Sequence, residues 1–170
     1  MERYVLTGAP GCGKTSLMLE LETRGFPVIR EAAEDVIRLQ QAKGIKHPWE
    51  LDNFQDKILR LQQMRYYFAP KQDVFIDRGY RDGLAYTNRF DGVNWWIHQA
   101  AKNEGIDHVY FIDLLPQTEQ NEIRKEKREQ ALKLHDKLIQ VYEESRVPMT
   151  RIPCSSVEER ANLVLASIGA

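Results

Sequence analysis

An α/β fold, a parallel sheet of about five strands with helices on both faces, is what this 170-residue sequence predicts. Two observations carry the prediction. Short apolar runs alternate along the chain with helix-forming stretches, and several runs are continuously apolar, as strands buried on both faces of a parallel sheet are. Near the start, the β-forming Tyr4-Val5-Leu6 leads into Gly8-Ala9-Pro10-Gly11-Cys12-Gly13-Lys14-Thr15 and then into Ser16-Leu17-Met18-Leu19-Glu20-Leu21, mostly good helix formers. Strand, glycine-rich turn and helix open a layered fold whose ligand is expected at the carboxyl ends of the strands.

Residues 3–7 form the first predicted strand. The helix after the glycine-rich turn runs to about Arg24 and stops at Gly25, a common C-cap residue. Phe26-Pro27-Val28-Ile29 is a short second strand. Glu31-Ala32-Ala33-Glu34-Asp35-Val36-Ile37 opens a helix with acids in its first turn, where the helix dipole favours them, and Gly44 ends it. Pro48-Trp49 opens the next helix and Pro70 closes it. Leu51, Phe54, Ile58, Leu61, Met64 and Phe68 recur there at spacings of 3 and 4 and predict its buried face; under three heptads, the stripe is too short for a coiled-coil seam. Asp73-Val74-Phe75-Ile76-Asp77 is a buried strand ending in an acid, followed by a polar turn from Arg78 to Gly83. Residues 94–104 are helical, with burial expected for Trp95 and Trp96. His108 to Asp113 is another buried strand. Residues 119–145 are helix-forming and highly charged, with Leu132, Leu134, Leu138, Val141 and Tyr142 as the apolar side. Pro148 to Ile152 is the last strand. Ser155 with Glu158 predicts a capping box for a final helix in which Val157, Ala161, Val164 and Ile168 share a face.

Composition narrows the function classes. A hydrophobic fraction of 42% and a charged fraction of 29% describe an ordinary soluble globular chain, expected to form one domain over residues 1–170. A net charge of −1 makes no electrostatic case for nucleic-acid binding. No apolar run approaches a membrane span, the N-terminus lacks a signal-peptide pattern, and two cysteines make no disulfide framework, so a cytoplasmic setting is expected. No Cys/His grouping has zinc spacing, and His47, His98, His108 and His135 are scattered.

The glycine-rich segment fits G-x-x-x-x-G-K-[ST] at every fixed position. At typical residue frequencies that match arises by chance in roughly 1 in 200 chains of this length, and the strand and helix around it lower the odds further. Glycines let the backbone curl so that several N–H groups point at one anion, and the helix starting near Gly13 adds the positive end of its dipole. Gly8 through Ser16 are therefore the predicted nucleotide-binding residues, in a three-layer P-loop NTPase fold. Lys14 would reach the β- and γ-phosphates, and the Thr15 hydroxyl would ligate Mg2+. Cys12 stands beside a helix N-terminus, which lowers a thiol pKa; it reads as a small residue that fits the loop, with a redox-sensitive switch as the alternative. No Asn-Lys-x-Asp guanine-reading motif occurs, which favours ATP over GTP.

The acid at the end of the third strand narrows the class. Motor ATPases usually place Asp-Glu there, whereas here Asp77 is followed by Arg78, and the chain has no room for the extra helical domain of ring ATPases. Asp-Arg resembles nucleoside, thymidylate and related small-molecule kinases. More closely, the chain resembles the small AAA-type ATPase/kinase domains that include the nicotinamide-ribonucleoside kinase domain of bacterial NAD-regulator proteins. The resemblance runs through Gly8–Thr15, Glu31-Ala32-Ala33, Asp77-Arg78 to Asp82 and Ala85-Tyr86, Arg124 with Glu126, and Ile152-Pro153 with Glu158-Glu159-Arg160. The first and third blocks are specific, and the others are soft. The family's usual Arg after Glu-Ala-Ala is Glu34 here.

The resemblance implies roles. Asp77 would organise Mg2+ or accept a proton from the acceptor hydroxyl. Glu31, at the end of the second strand, is the other candidate base, although the helix dipole alone would favour an acid there. Arg78 would hold an anion or an acidic neighbour. Asp82 and Tyr86 would line the acceptor pocket. A lid-like segment at about 116–130 would fold over the triphosphate, with Arg124 and Arg128 neutralising charge during transfer; the rival reading pairs these bases with Glu122, Glu126 and Glu129 on a solvated helix. The expected activity is transfer of phosphate from ATP-Mg2+ to a small, nucleoside-like hydroxyl acceptor. The alternatives are an ATPase or nucleotide-dependent switch acting through a partner protein, and a pseudo-enzyme, which the intact Lys14, Thr15 and Asp77 argue against.

Overall fold

The computed structural model describes residues 1–87, 92–116 and 122–170, with the side chains of 92–94 and 122–127 outside the description. The chain order is β1 (Arg3–Thr7), α1 (Lys14–Thr23), β2 (Val28–Ile29), α2 (Ala32–Ala42), a 3-10 turn (Pro48–Glu50), α3 (Phe54–Tyr67), β3 (Val74–Asp77), α4 (Asp82–Tyr86), α5 (Gly92–Lys102), β4 (His108–Ile112), α6 (Glu122–Glu143), β5 (Met149–Ile152) and α7 (Val157–Ser167). The strands pair in parallel in the spatial order β2-β3-β1-β4-β5.

The two-residue period of a strand sends alternate side chains to opposite faces. Tyr4 and Leu6 of β1 pack with Phe75, Tyr110 and Ile112 against Leu17 and Leu21 of α1 and Val164 of α7. Val5 joins Ile76 and Val109 on the other face, against Leu59 and Tyr66 of α3, Ile97 of α5 and Tyr142 of α6. Both faces of β1 and β3 are covered, which is why these runs carry no polar alternation until their last residue. In-register pairing of Leu6 with Asp77 brings the β3 acid level with the start of the glycine-rich loop.

Several local expectations are corrected. The stretch from Pro48 is not one helix: a 3-10 turn is followed by an extended Leu51, and α3 begins at Phe54. Its buried face is Phe54, Leu59, Gln62 and Tyr66, while Met64 and Phe68 are exposed. Gln62 and Tyr66 go inside because partners await them. Gln62 Nε2 donates to the Arg78 carbonyl at 3.1 Å, and the Tyr66 hydroxyl donates to Glu104 at 2.7 Å. Trp95 and Trp96 are exposed and packed edge-on against each other, because α5 turns Ile97 and Ala101 to the core. On α6, Leu132 is exposed and His135 takes the inward place beside Leu138 and Tyr142. Part of the predicted turn at 78–83 is the start of α4. The capping box of α7 lies one residue later than expected, with Ser156 accepting from the Glu159 N–H and Glu159 accepting from the Ser156 N–H. No described helix is long and apolar enough to cross a membrane.

Candidate active site

The loop from Gly8 to Thr15 closes at the carboxyl end of β1. Gly11 and Gly13 have φ of +84° and +79°, values that L side chains rarely adopt. At Gly8 the constraint is space: a methyl there would lie 2.6 Å from the Ile112 carbonyl oxygen. The first rung of α1 runs from the Leu17 N–H to the Gly13 carbonyl at 3.2 Å. The N–H groups of Lys14, Thr15 and Ser16 therefore lie ahead of the helical ladder, available to an anion. A cavity of about 410 Å3 lies against Ala9 through Thr15 and is closed by Glu31, Glu34, Arg78 and Tyr86.

Lys14 is buried, and its ammonium is shared between two carboxylates. It bonds directly to Asp77 and lies 3.6 Å from Glu31 Oε2. Burial raises the Asp77 carboxyl above its ordinary value, while Lys14 pulls it back down. Glu31 stands at the N-cap of α2, and its other oxygen accepts from Arg78 Nε at 3.0 Å. Arg78 then reaches Asp82 through Nη1 at 3.0 Å. Burial alone would lower the Arg78 guanidinium, but Asp82 and its other neighbours, Glu31 and Asp77 included, more than offset this and its pKa rises. The result is one continuous chain, Asp77–Lys14–Glu31–Arg78–Asp82, joining the ends of β3 and β2 to the loop after β1.

A second cavity, of about 320 Å3, lies on the other side of that chain. Trp49, Phe54, Ile58, Tyr80 and Ile97 make it mostly apolar, and Gln55 adds an amide. Glu31, Arg78 and Tyr86 line both cavities, so the charged chain is the wall between them. Thr15, Glu31 and Asp77 also meet in a smaller adjoining space of about 230 Å3. Among the described residues there is no cluster of three or more His, Cys, Asp or Glu side chains to hold a metal. The Thr15 hydroxyl and Asp77 carboxylate are hard oxygen donors of the kind Mg2+ takes, and they fit an ion whose remaining ligands are nucleotide oxygens and water.

The structure thus brings together Gly8 through Ser16, Glu31, Asp77, Arg78, Asp82 and Tyr86. Asp82, 3% exposed, differs in kind from the rest. It accepts from Thr7 Oγ1 at 2.6 Å, from the Gly79 N–H at 3.0 Å and from the Tyr142 hydroxyl, besides Arg78, so its oxygens anchor Arg78 and leave little for a ligand. Arg128 donates to the Leu115 carbonyl at 2.7 Å and does not line the phosphate cavity. The Arg124 side chain and residues 117–121 of the lid-like segment lie outside the described residues. Cys12 is buried, in keeping with a small residue that fits the loop, and burial pushes its thiol pKa up despite the neighbouring Lys14, opposite to the lowering expected beside a helix N-terminus.

Trp49, Gln55 and Tyr80 also line the second cavity; they fall in the segments, about 31–69 and 78–91, expected to build an acceptor site, but no sequence signal singles them out individually. Glu104 was missed too. It is buried; Oε1 accepts from Tyr66 at 2.7 Å and from the Tyr80 N–H at 2.6 Å, and Oε2 has no partner among the described residues. Burial pushes its carboxyl up to about 7, so the folded state keeps a proton that the unfolded chain releases at a lower pH. Its contribution to stability is therefore fully present below the ordinary carboxylate value and is lost as pH rises to about 7. Between pH 5 and 8 the wild type should lose about 2 kcal/mol more unfolding free energy than Glu104→Gln, since each tenfold change in proton affinity is worth about 1.4 kcal/mol. Urea titrations of both proteins check this; parallel pH profiles would refute it.

The family model for an AAA domain matches residues 3–160. The chain belongs to the AAA domain family. No curated protein matches this AAA domain in sequence. Its fold is that of small P-loop kinases. A crystal structure of NadR protein in complex with NAD and AMP-PNP superposes with a TM-score of 0.73 at 14% identity, over 99% of this chain and 50% of that one. Thymidylate kinase from Ehrlichia chaffeensis gives 0.67 at 16% identity, over 99% and 98% of the two chains. Deoxyadenosine kinase from M. mycoides with bound dCTP gives 0.66 at 15%, over 98% of each. The AAA domain thus spans about half the length of the NadR chain and nearly all of the two nucleoside and nucleotide kinases.

Proposed function

We propose that this AAA domain is an ATP- and Mg2+-dependent phosphotransferase acting on a small, nucleoside-like hydroxyl acceptor. One observation carries the reading: a mostly apolar cavity shares the wall Glu31–Arg78–Tyr86 with the phosphate-loop cavity. An ATPase needs only the phosphate-loop cavity. A kinase needs two, separated by a base and a cation. The likeness in fold to thymidylate and deoxyadenosine kinases supports the same reading.

In this reading, the acceptor's ring sits among Trp49, Phe54 and Tyr80, with its hydroxyl at Glu31. The Glu31 carboxylate takes the hydroxyl proton as the new O–P bond forms and the bond between the β,γ-bridging oxygen and the γ-phosphorus breaks, releasing ADP. Asp77 does not line the acceptor cavity, which supports Glu31 over Asp77 as the base. Lys14 exchanges Asp77 and Glu31 for the β- and γ-phosphates. Mg2+, when bound, neutralises phosphate charge. Arg78 holds Glu31 in place and presents a cation at the cavity boundary.

The test is ADP release from ATP-Mg2+ against a panel of nucleosides and other hydroxyl metabolites, with Glu31→Gln alongside. One compound should stimulate turnover, and Glu31→Gln should lower its kcat by about 10²- to 10⁴-fold while ATP still binds. If no compound stimulates turnover but ATP binds through Lys14, the kinase reading fails and a switch acting through a partner protein takes its place.

A further inference from the structure

Arg160 is a buried cation with no carboxylate partner among the described residues. It lies in the first turn of α7, is 3% exposed and makes no ion pair among the described residues. Its hydrogen bonds go to backbone carbonyls: Nη1 donates to Cys12 at 3.0 Å and Nε to Ser156 at 3.4 Å. The guanidinium lies flush against the phosphate loop, where a methyl built on Gly13 would meet its two terminal nitrogens at 2.9 and 3.1 Å.

This is an expensive place for a positive charge. Gly13 is the N-cap of α1 and Ser156 the N-cap of α7, so the positive ends of two helix dipoles converge on it, with Lys14 one residue away. Glu158 and Glu159 of the same turn are exposed, and Glu159 is engaged in the capping box. A buried charge ordinarily has a partner. Here none of the described residues supplies one.

The bond to Cys12 has a further consequence. The carbonyl of residue 12 and the N–H of residue 13 belong to one rigid trans peptide plane and point in opposite directions. A guanidinium that holds the carbonyl toward α7 turns the Gly13 N–H the other way, off α7. A charged donor on the carbonyl also polarises the peptide and makes that N–H a stronger donor.

We propose that Arg160 is a nucleotide-positioning residue: it aims and polarises the Gly13 N–H for the nucleotide phosphates, whose charge supplies the counter-ion that Arg160 lacks. The inference rests on the phosphate loop binding nucleotide. It explains why a cation occupies the otherwise apolar face formed by Ala161, Val164 and Leu165.

The experiment is ADP binding by calorimetry to the wild type, Arg160→Gln, Arg160→Lys and Lys14→Ala, with the Gly13 amide followed by NMR and the nucleotide-free Tm of each protein. Arg160→Gln removes the charge, and its amide, two bonds shorter than the guanidinium, reaches the Ser156 carbonyl rather than that of Cys12. It should fold with a Tm close to the wild type, bind ADP about tenfold or more weakly, as expected for loss of a charge-assisted bond, and show a smaller Gly13 shift on saturation. Arg160→Lys should recover much of the affinity. ADP affinity within twofold of wild type in Arg160→Gln, with an unaltered Gly13 shift, would overturn the proposal. A variant that unfolds without nucleotide would also overturn it, by making Arg160 a structural pin. A wild type that fails to bind ADP, or binds it no better than Lys14→Ala, would instead remove the phosphate-loop reading and this inference with it.

Discussion

Replacing Lys14 by alanine should lower ATP turnover by at least about 10²- to 10³-fold, the loss expected when a preorganised charge facing the transferred phosphate is removed. It should also destabilise the nucleotide-free protein. Lys14 is 6% exposed and is the cation between Asp77 and Glu31. Its removal leaves Asp77 buried with a second carboxylate nearby and only Arg78 to compensate, a loss of about 3–5 kcal/mol for breaking a buried pair. The double variant Lys14→Ala/Asp77→Asn should recover most of that stability and none of the activity. Urea unfolding of the two single variants and the double, with ADP release from each, makes the test. Equal stability of wild type and Lys14→Ala would mean that the Lys14–Asp77 contact contributes nothing in solution.

Arg78 carries the second large effect. It is buried, stands at φ +68° without being glycine, bridges Glu31 and Asp82, and lies 5.5 Å from the centre of the Tyr86 ring. A left-handed backbone at a side chain of this size costs about 1–3 kcal/mol and persists only where the surroundings over-determine it. Asp82 supplies that anchoring through Thr7, Gly79 and Tyr142. Arg78→Met should destabilise the protein by about 3–5 kcal/mol, because two carboxylates lose their shared cation. Arg78→Lys should recover less than half of this, since one ammonium cannot reproduce two divergent guanidinium bonds. Under the proposed function it should also raise the KM of the acceptor more than that of ATP, because Arg78 bonds Glu31 at the shared wall. Arg78→Lys with stability within about 0.5 kcal/mol of wild type, the range of an ordinary surface substitution, would show that the fork geometry is dispensable.

The site is unequally legible in the sequence. Lys14, Thr15 and the glycines were readable because a backbone curled around an anion demands particular residues at fixed spacings in one short segment. Asp77 and Arg78 were readable as a pair at a strand end. Their partners were not, because Glu31 stands 46 positions before Asp77 and meets Lys14 only when β2 and β3 pair. Asp82 lines the second cavity, where its place in the sequence put it, and also anchors Arg78, a contact the sequence does not reveal. The α3 stripe failed for a related reason. Apolarity alone favoured Met64 and Phe68, whereas Gln62 and Tyr66 are buried because Arg78 and Glu104, distant in sequence, satisfy them.

The sequence by itself determined the alternation of strands and helices, the parallel sheet and the phosphate loop, since each follows from local period, backbone propensity or a contiguous motif. Only the tertiary structure decided which acids share Lys14, where the second cavity lies, and that Arg160 reaches the Cys12 carbonyl across 148 positions of chain. Those outcomes depend on side chains meeting across strand pairing and helix packing. A polar group's burial is favourable or ruinous according to a partner that one-dimensional order does not reveal.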